Sequence, residues 1–319
     1  MAQEESTTTV VVAIGANLAI AIAKGIAGAL SGSAAMLSEA AHSLADTTNE
    51  VMLLFAVKRS DRPADARHPF GYGRERYFWT LLAAVGIFVG GGVFAVFQGV
   101  HELIGGGAEG GHWVLSYAVL GVAFVLESVS WLQARKQLRA DAKQMERPFR
   151  TQLFATSDPA ATTVFAEDSA ALVGLALAGI GVGMHQLTGA AYWDSLASVA
   201  IGVLLAVVAV ILGRENRSLI IGEAADQRLV DALRGDLQAY PEVSAVDEVL
   251  TMVLGRGEVL VAARVDLEDH ISAGDVEDLA RRMEREVADN HPPVRHFFLD
   301  ITADSNTPDG AAAIDPAEA

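Results

Sequence analysis

His42 and Asp46 stand four residues apart in the stretch SEAAHSLADTTNE (residues 38–50), directly before the apolar run VMLLFAV. On a helix, positions i and i+4 lie on one face. An imidazole and a carboxylate stacked in this way supply half of a four-coordinate site for a divalent metal. Asn49 continues the same face one turn on, as interhelical glue rather than a ligand, and Glu50 beside it has no assigned role. The other half of the site must come from a different helix. The fifth apolar run, TTVFAEDSAALVG, is read as the only other one with acids at a similar depth, Glu167 and Asp168. Neighbouring helical residues point about 100° apart, so these two are not equally aimed at one ion. Asp168 is the favoured ligand, with Glu167 as a fourth ligand or a neighbour. One His with two or three carboxylates suits Zn²⁺, Co²⁺, Fe²⁺ or Mn²⁺. The chain has no cysteine, which removes thiolate ligands and disulfides together and speaks against Cu⁺.

The elements that would carry these residues are membrane helices. The 319 residues are 51% apolar but only 7% aromatic, and the apolar residues are gathered into runs. Six runs, near 10–30, 33–57, 78–100, 113–133, 163–186 and 191–213, reach the length of about 20 residues that a spanning helix needs. An ionisable side chain inside such a span is costly and faces the bundle interior or water. Lys24 in the first run is read as snorkelling or pairing with an acid, and Asp158, before Pro159, and Asp194 as helix-start residues. Lys and Arg gather between runs two and three and between runs four and five, while the alternate loops have none. Cytoplasmic loops are enriched in these residues, so a multi-pass protein of the cell membrane with both termini cytoplasmic is expected. The N-terminal MAQEESTTT lacks a basic region, so no cleavable signal peptide is expected. The net charge of −17 argues against nucleic acid as a partner.

After the last run the pattern changes. DQRLVDALRGDLQAY reads as an amphipathic helix, VSAVDEVLTMVL and EVLVAARVDLE as strands joined at a GRG turn, SAGDVEDLARRMEREVADN as a helix capped by Ser272, and VRHFFLDI as a third strand. The simplest packing of αββαβ puts both helices on one face of a small antiparallel sheet. The expected organisation is a transmembrane all-α bundle over 1–217, a cytoplasmic α+β domain over 218–303 and a disordered acidic tail over 304–319.

SGSAAMLSEAAHSLADTTNE, RPADARHPFGYGRERYFW and YWDSLASVAIG, in this order along the chain and followed by the acidic αββαβ unit, resemble the cation diffusion facilitator (CDF) family of metal transporters. DPAATTVFAEDSAALVG is most similar to the branch that includes animal zinc transporter 9 and its bacterial relatives. The resemblance implies a homodimer with six spans per protomer, exporting a divalent metal in exchange for protons by alternating access. It implies a transport site of two residues four apart in the second span, matched by His42 and Asp46, and two in the fifth. Asp168 matches the second of these, but Val164 stands at the first, which leaves the fourth ligand open. A further family site in the loop after the second span is matched by Asp65 and His68, with Tyr72, a poor ligand, in third place. That loop site is expected to be weak or structural. The last domain is similar to the family's metallochaperone-like dimerisation module, whose ligand positions fall near Asp247, Arg264, Glu277 and Leu299. An Arg and a Leu hold no cation, so no binuclear site is expected there, and His270, His291 and His296 are read as surface residues.

A metal needs neutral imidazole and ionised carboxylates, so metal and protons compete for one site. That competition, with an imidazole titrating at about 6.5 when unperturbed, describes a secondary antiporter with Zn²⁺ as first cargo, the lipid bilayer as its medium and no resident cofactor. Two rivals are weighed against it. A membrane-embedded metalloenzyme would use the same ligands to activate water, though HExxH and GxSxG are both absent. A metal sensor would use the spans as an anchor only, which the polar residues within two spans speak against. No phosphate-binding Gly-rich loop is seen.

Overall fold

The computed structural model describes residues 2–105, 112–144, 148–149 and 159–302. Their helices are α1 (Ala2–Ser31), α2 (Ala34–Ser60), α3 (Glu75–Gly105), α4 (Trp113–Gln144), α5 (Pro159–Thr188) and α6 (Tyr192–Ile221). A second unit follows, with α7 (Gln227–Gln238), β1 (Val243–Gly255), β2 (Glu258–Leu267), α8 (Ala273–Asn290) and β3 (Val294–Ile301). The chain divides after Ile221. This is four residues beyond the expected boundary, because α6 continues to Gly222, whose φ of 125° suits only glycine. Asp158 and the tail from Ala303, read above as a helix start and a disordered segment, lie outside the described residues.

Four described stretches are long and apolar enough to cross a membrane: α3, Trp113–Ala140 of α4, Val164–Thr188 of α5, and α6. The apolar part of α1, Asn17–Ser31, is shorter. In α2 the hydropathy is lowered by the very residues that carry the candidate chemistry, Glu39, His42, Asp46, Asn49 and Glu50.

The turn into α2 is fixed by polar contacts within the bundle. Gly32 takes a φ of 65°, and the Ser33 hydroxyl accepts from the Met36 amide at 3.1 Å. Asp194, in the first turn of α6, then receives the Ser33 hydroxyl at 2.7 Å and the Ala35 amide at 3.3 Å. The Asp194 carboxylate therefore also caps a neighbouring helix, which explains an acid with only 2% exposure. At the other end of α2, Lys58 and Arg59 in the last turn complement the helix dipole.

The run IFVGGGV makes α3 a π-helix over Ile87–Val93, and small residues set its crossing with α6. A methyl group added at Gly202 would lie 2.6 Å from Val96 Cγ2 and 2.8 Å from the Gly92 carbonyl oxygen. The backbones touch at this crossing, and no larger residue fits.

In the second unit, the order αββαβ is as expected but the sheet is not wholly antiparallel. Its strand order is β1-β2-β3, with β1 antiparallel and β3 parallel to β2. The reason is the crossover: α8 carries the chain back to the starting end of β2, so β3 must run alongside it, whereas β1 and β2 are joined by a tight turn with Gly257 at φ 66°. Val259, Val261, Ala263 and Val265 bury one face of β2 against Leu233 and Leu237 of α7 and Leu279, Met283 and Val287 of α8. The α8 residues recur every four positions, one stripe of an amphipathic helix. Ser272 caps α8 through the Asp275 amide at 3.3 Å.

The α3–α6 crossing gives a stability prediction. Gly202→Val should lower the stability of the purified protein by at least about 1–3 kcal/mol, the usual cost of overpacking, seen as a fall in Tm in detergent. Gly179→Ala is the control, since among the described residues a Cβ there meets nothing within 4 Å; it should leave Tm unchanged.

Candidate functional site

The side chains of α2 face four other helices, α1, α3, α5 and α6. Toward α1, Lys24 Nζ is 3.0 Å from Glu39 Oε2 and donates to Ser43 Oγ at 2.7 Å, with Lys24 and Glu39 fully buried. Lys24 therefore pairs with an acid rather than snorkelling. One turn on, His42 Nδ1 is 3.4 Å from Asp46 Oδ1. The His42 ring is 1% exposed, and neither nitrogen has a hydrogen-bond partner among the described residues. A buried imidazole with both nitrogens unsatisfied is a costly arrangement in a packed bundle.

Toward α5, Asn49 Nδ2 lies 2.7 Å from each carboxylate oxygen of Glu167. Asp168 instead accepts from Ser130 Oγ of α4 at 2.7 Å. The two neighbouring acids thus turn to different helices, as their angular separation requires. Trp131 Nε1, donating to Ser169 Oγ at 2.9 Å, fastens α4 to α5 beside them.

A cavity of about 120 Å³ lies among these helices, lined by Asp46, Asn49, Glu50, Glu127, Glu167 and Asp168 together with Asn17, Ser43, Ser130 and apolar side chains. Asp46, Glu167 and Asp168 are thereby brought to one space. His42 touches Asp46 but does not line it, and Val164 lines it without offering a donor. Among the described residues no three His, Asp or Glu side chains converge closely enough to hold an ion. The carboxylate of Glu167, the candidate fourth ligand, is occupied by Asn49.

The sequence reading missed two acids. Glu39 is buried in α2, and Glu127 of α4 lines the cavity, so the fifth span is not the only other source of carboxylates. The signal for Glu127 was present: an acid midway along the apolar run GVAFVLESVSW must face inward.

In the loop after α2, Asp65 Oδ1 accepts from the Arg67 and His68 amides at 2.9 and 2.8 Å, and Tyr72 donates its hydroxyl to Oδ2 at 2.7 Å. His68 Nδ1 is 3.4 Å from Asp65 Oδ1, and its ring lies 4.3 Å from that of Tyr72. These bonds, the Tyr72 hydroxyl foremost, hold the Asp65 carboxyl down to about 2 and push the Tyr72 hydroxyl up. Any ion at Asp65 would have to displace three hydrogen bonds. In the second unit, the Arg264 guanidinium reaches Asp300 at 2.8 Å and Glu248 at 3.6 Å, which places a fixed positive charge among acids that a metal would otherwise need. Glu277 pairs with Arg281 at 3.1 Å, and Leu299 packs on the core. Of the histidines read as surface residues, His270 is exposed and His296 half-buried, whereas His291 Nε2 lies 2.7 Å from Asp236.

Two outcomes follow from this geometry. Tyr72→Phe removes the strongest influence on Asp65, so its carboxyl should titrate nearer the ordinary value of 3.8 than at about 2. Since a lowered pKa stabilises the loop above the ordinary value and that support fades as pH falls toward about 2, the variant's loop should loosen at higher pH, as read by amide exchange. From Arg264, residues 222–302 expressed alone should bind Zn²⁺ weakly; two tightly bound ions per chain by calorimetry would contradict this.

Comparison with known proteins meets this arrangement from outside. The family model for the cation efflux transmembrane domain matches residues 10–221, the whole of the bundle from the first turns of α1 to the end of α6. The proton-coupled zinc antiporter SLC30A9 of mouse mitochondria is 32% identical over 241 residues, covering 75% of this chain and 42% of that protein. Metal tolerance protein C4 of Arabidopsis thaliana is 32% identical over 236 residues, covering 74% of this chain and 51% of that one. The magnetosome protein MamB of Magnetospira is 28% identical over 210 residues, 66% of each chain. The chain thus spans about half, or less, of the first two relatives. A family model over residues 10–221 and relatives at 32% identity over about three quarters of this chain lead to one assignment: the chain belongs to the cation diffusion facilitator family, and is a multi-pass membrane protein.

Proposed function

We propose that this protein is a transporter that moves Zn²⁺ outward in exchange for protons, with His42 and Asp46 of α2 and Asp168 of α5 as the transport ligands and Glu167 as the fourth. The observation that carries the reading is the pairing of His42 with Asp46 beside a cavity shared by Asp46, Glu167 and Asp168, all within otherwise apolar helices. A relative at 32% identity bears the name proton-coupled zinc antiporter, which supports the cargo and the coupling.

In this proposal α1 to α6 all span the bilayer with both termini cytoplasmic, because the basic loops fall on one side. Helices α1 and α2 tolerate their polar content because it faces the other helices. Binding a dication would draw Asp46 and Asp168 together and exchange the Asn49 amide for the ion at Glu167. The Asp46 and Asp168 carboxylates would then find a counter-charge in the ion. Protons arriving from the outer side occupy the same imidazole nitrogen and carboxylate oxygens and release the ion. The unit from Gly222 onward would serve as a dimerisation module without its own metal. Asp65 and His68 would organise the loop after α2 rather than hold cargo.

The test is flux in proteoliposomes. Radioactive Zn²⁺ should accumulate against its gradient when a pH difference is imposed, and collapse of that difference should stop it. Asp46→Ala should reduce flux by at least about a hundredfold, the upper range for loss of a group that organises a metal site, while the protein elutes as does the wild type. Flux in Asp46→Ala at the wild-type rate would refute the ligand assignment, and Zn²⁺ movement indifferent to pH would refute antiport.

A further inference from the structure

A groove of about 900 Å³ lies between α3 and α6, and none of its lining residues belongs to the cavity among α2, α4 and α5. Its floor is Gly92, Gly202 and Ala206, whose small side chains let the two backbones touch and leave open space above them. Its rim carries larger residues such as Phe97, Val203 and Val207, 52–63% exposed. Small residues along the line of closest approach, with bulky ones on either side, make a trough rather than a flat face. From Gly202 to Arg214 the α6 wall is about 18 Å long at about 1.5 Å per residue. One leaflet holds roughly 15 Å of hydrocarbon, half of the bilayer core.

The charge in this groove sits at one end. Of the described residues lining it, all but His101 and Arg214 are apolar or glycine. Among the described residues no ion pair involves Arg214. Gly213 lies against Leu81 and Gly99 against Ser195, so α3 and α6 run antiparallel and the start of α3 shares the Arg214 end of the unit. There Nε and Nη2 of Arg74 and Nε of Arg76 are buried without a hydrogen-bond partner among the described residues. Guanidinium groups where an apolar groove between helices reaches the membrane surface offer the chemistry that an anionic head group needs. A second copy of the chain fits less well. A two-fold contact through this face would bring the partner's Arg214 to the same depth, and no acid lines the groove to answer it.

We propose that the groove between α3 and α6 binds one anionic phospholipid, with its phosphate on the Arg214 guanidinium and an acyl chain laid over Gly92, Gly202 and Ala206. A guanidinium donates two parallel N–H bonds to phosphate oxygens, which fixes the head group at the charged end of the groove. The acyl chain then fills the trough and makes dispersion contacts with both helices at once. The bound lipid thereby clamps α3 to α6 along their crossing. Such binding does not depend on which cargo the protein carries, because the groove shares no residue with the polar cavity.

The experiment uses the full chain in detergent, with phosphatidylglycerol and phosphatidylcholine of the same acyl chains as probes. Native mass spectrometry counts the bound lipid, and Tm reports its effect. Phosphatidylglycerol should bind at least about fivefold more tightly than phosphatidylcholine, the factor that one basic residue supplies at a membrane surface, and should raise Tm. Arg214→Gln should bring phosphatidylglycerol down to the phosphatidylcholine level, while Arg214→Lys, which keeps the charge, should retain most of the preference. Val207→Trp fills the groove from its exposed rim and should weaken both lipids, with the protein eluting as does the wild type. Equal binding of the two lipids by the wild type, a preference that survives Arg214→Gln, or unchanged binding in Val207→Trp would overturn the proposal. The chain has no cysteine, so Val207→Cys supplies a single thiol. No cross-link between copies is expected at that position in liposomes; an efficient one would show the groove filled by a second copy instead and would overturn the lipid assignment.

Discussion

Hydrocarbon solvates no charge, and this single constraint orders the helical unit. Lys24, Glu39, His42 and Asp194 are buried within the helical unit, and such groups must find a partner, a cavity or a cation. The structure divides these groups into two sets. Asp194 is satisfied by Ser33 and the Ala35 amide, and Lys24 by Glu39 and Ser43; such contacts hold helices in register. His42, Asn49 Oδ1 and Glu50 Oε2 keep unsatisfied atoms, and they cluster at or beside one cavity. In the proposed function, the unmet demand gathered at the cavity is what an incoming ion would satisfy.

That division explains which parts of the molecule were legible in the amino-acid sequence. His42 and Asp46 announce themselves because two ligand-type residues at i and i+4 form a face that needs no knowledge of the fold. Glu167 and Asp168 stand out as an acid pair in an apolar run. Glu127 gives a weaker signal, a lone acid with no ligand-type companion one turn away, and its place on the cavity emerges only when α4 is seen beside α5. The Lys24–Glu39 pair has the same character: its residues are fifteen positions apart, on different helices, and only packing joins them.

The second unit shows the same limit in a different form. Alternation in β2 and the four-residue recurrence of Leu279, Met283 and Val287 were readable directly, and so was the cap at Ser272. Strand direction was not, because it depends on where α8 returns the chain and not on any local pattern. In this unit the position of Arg264 was legible, but its two acidic partners, Glu248 and Asp300, come from the strands on either side of β2.

The polar and the tightly packed contacts also differ in what they permit. At the α3–α6 crossing a glycine lies against backbone, so separation there would forfeit many close contacts at once and open a void. Between α2 and α5, by contrast, Asn49 and Glu167 are joined by side-chain hydrogen bonds, each with a net worth of about 0.5–1.5 kcal/mol. In the proposed function, an ion at Glu167 would replace that contact. Exchange at the cavity would then proceed while α3 and α6 stay locked, which is what the proposed carrier needs: a firm frame on one side and, on the other, a joint whose bonds a cation would substitute.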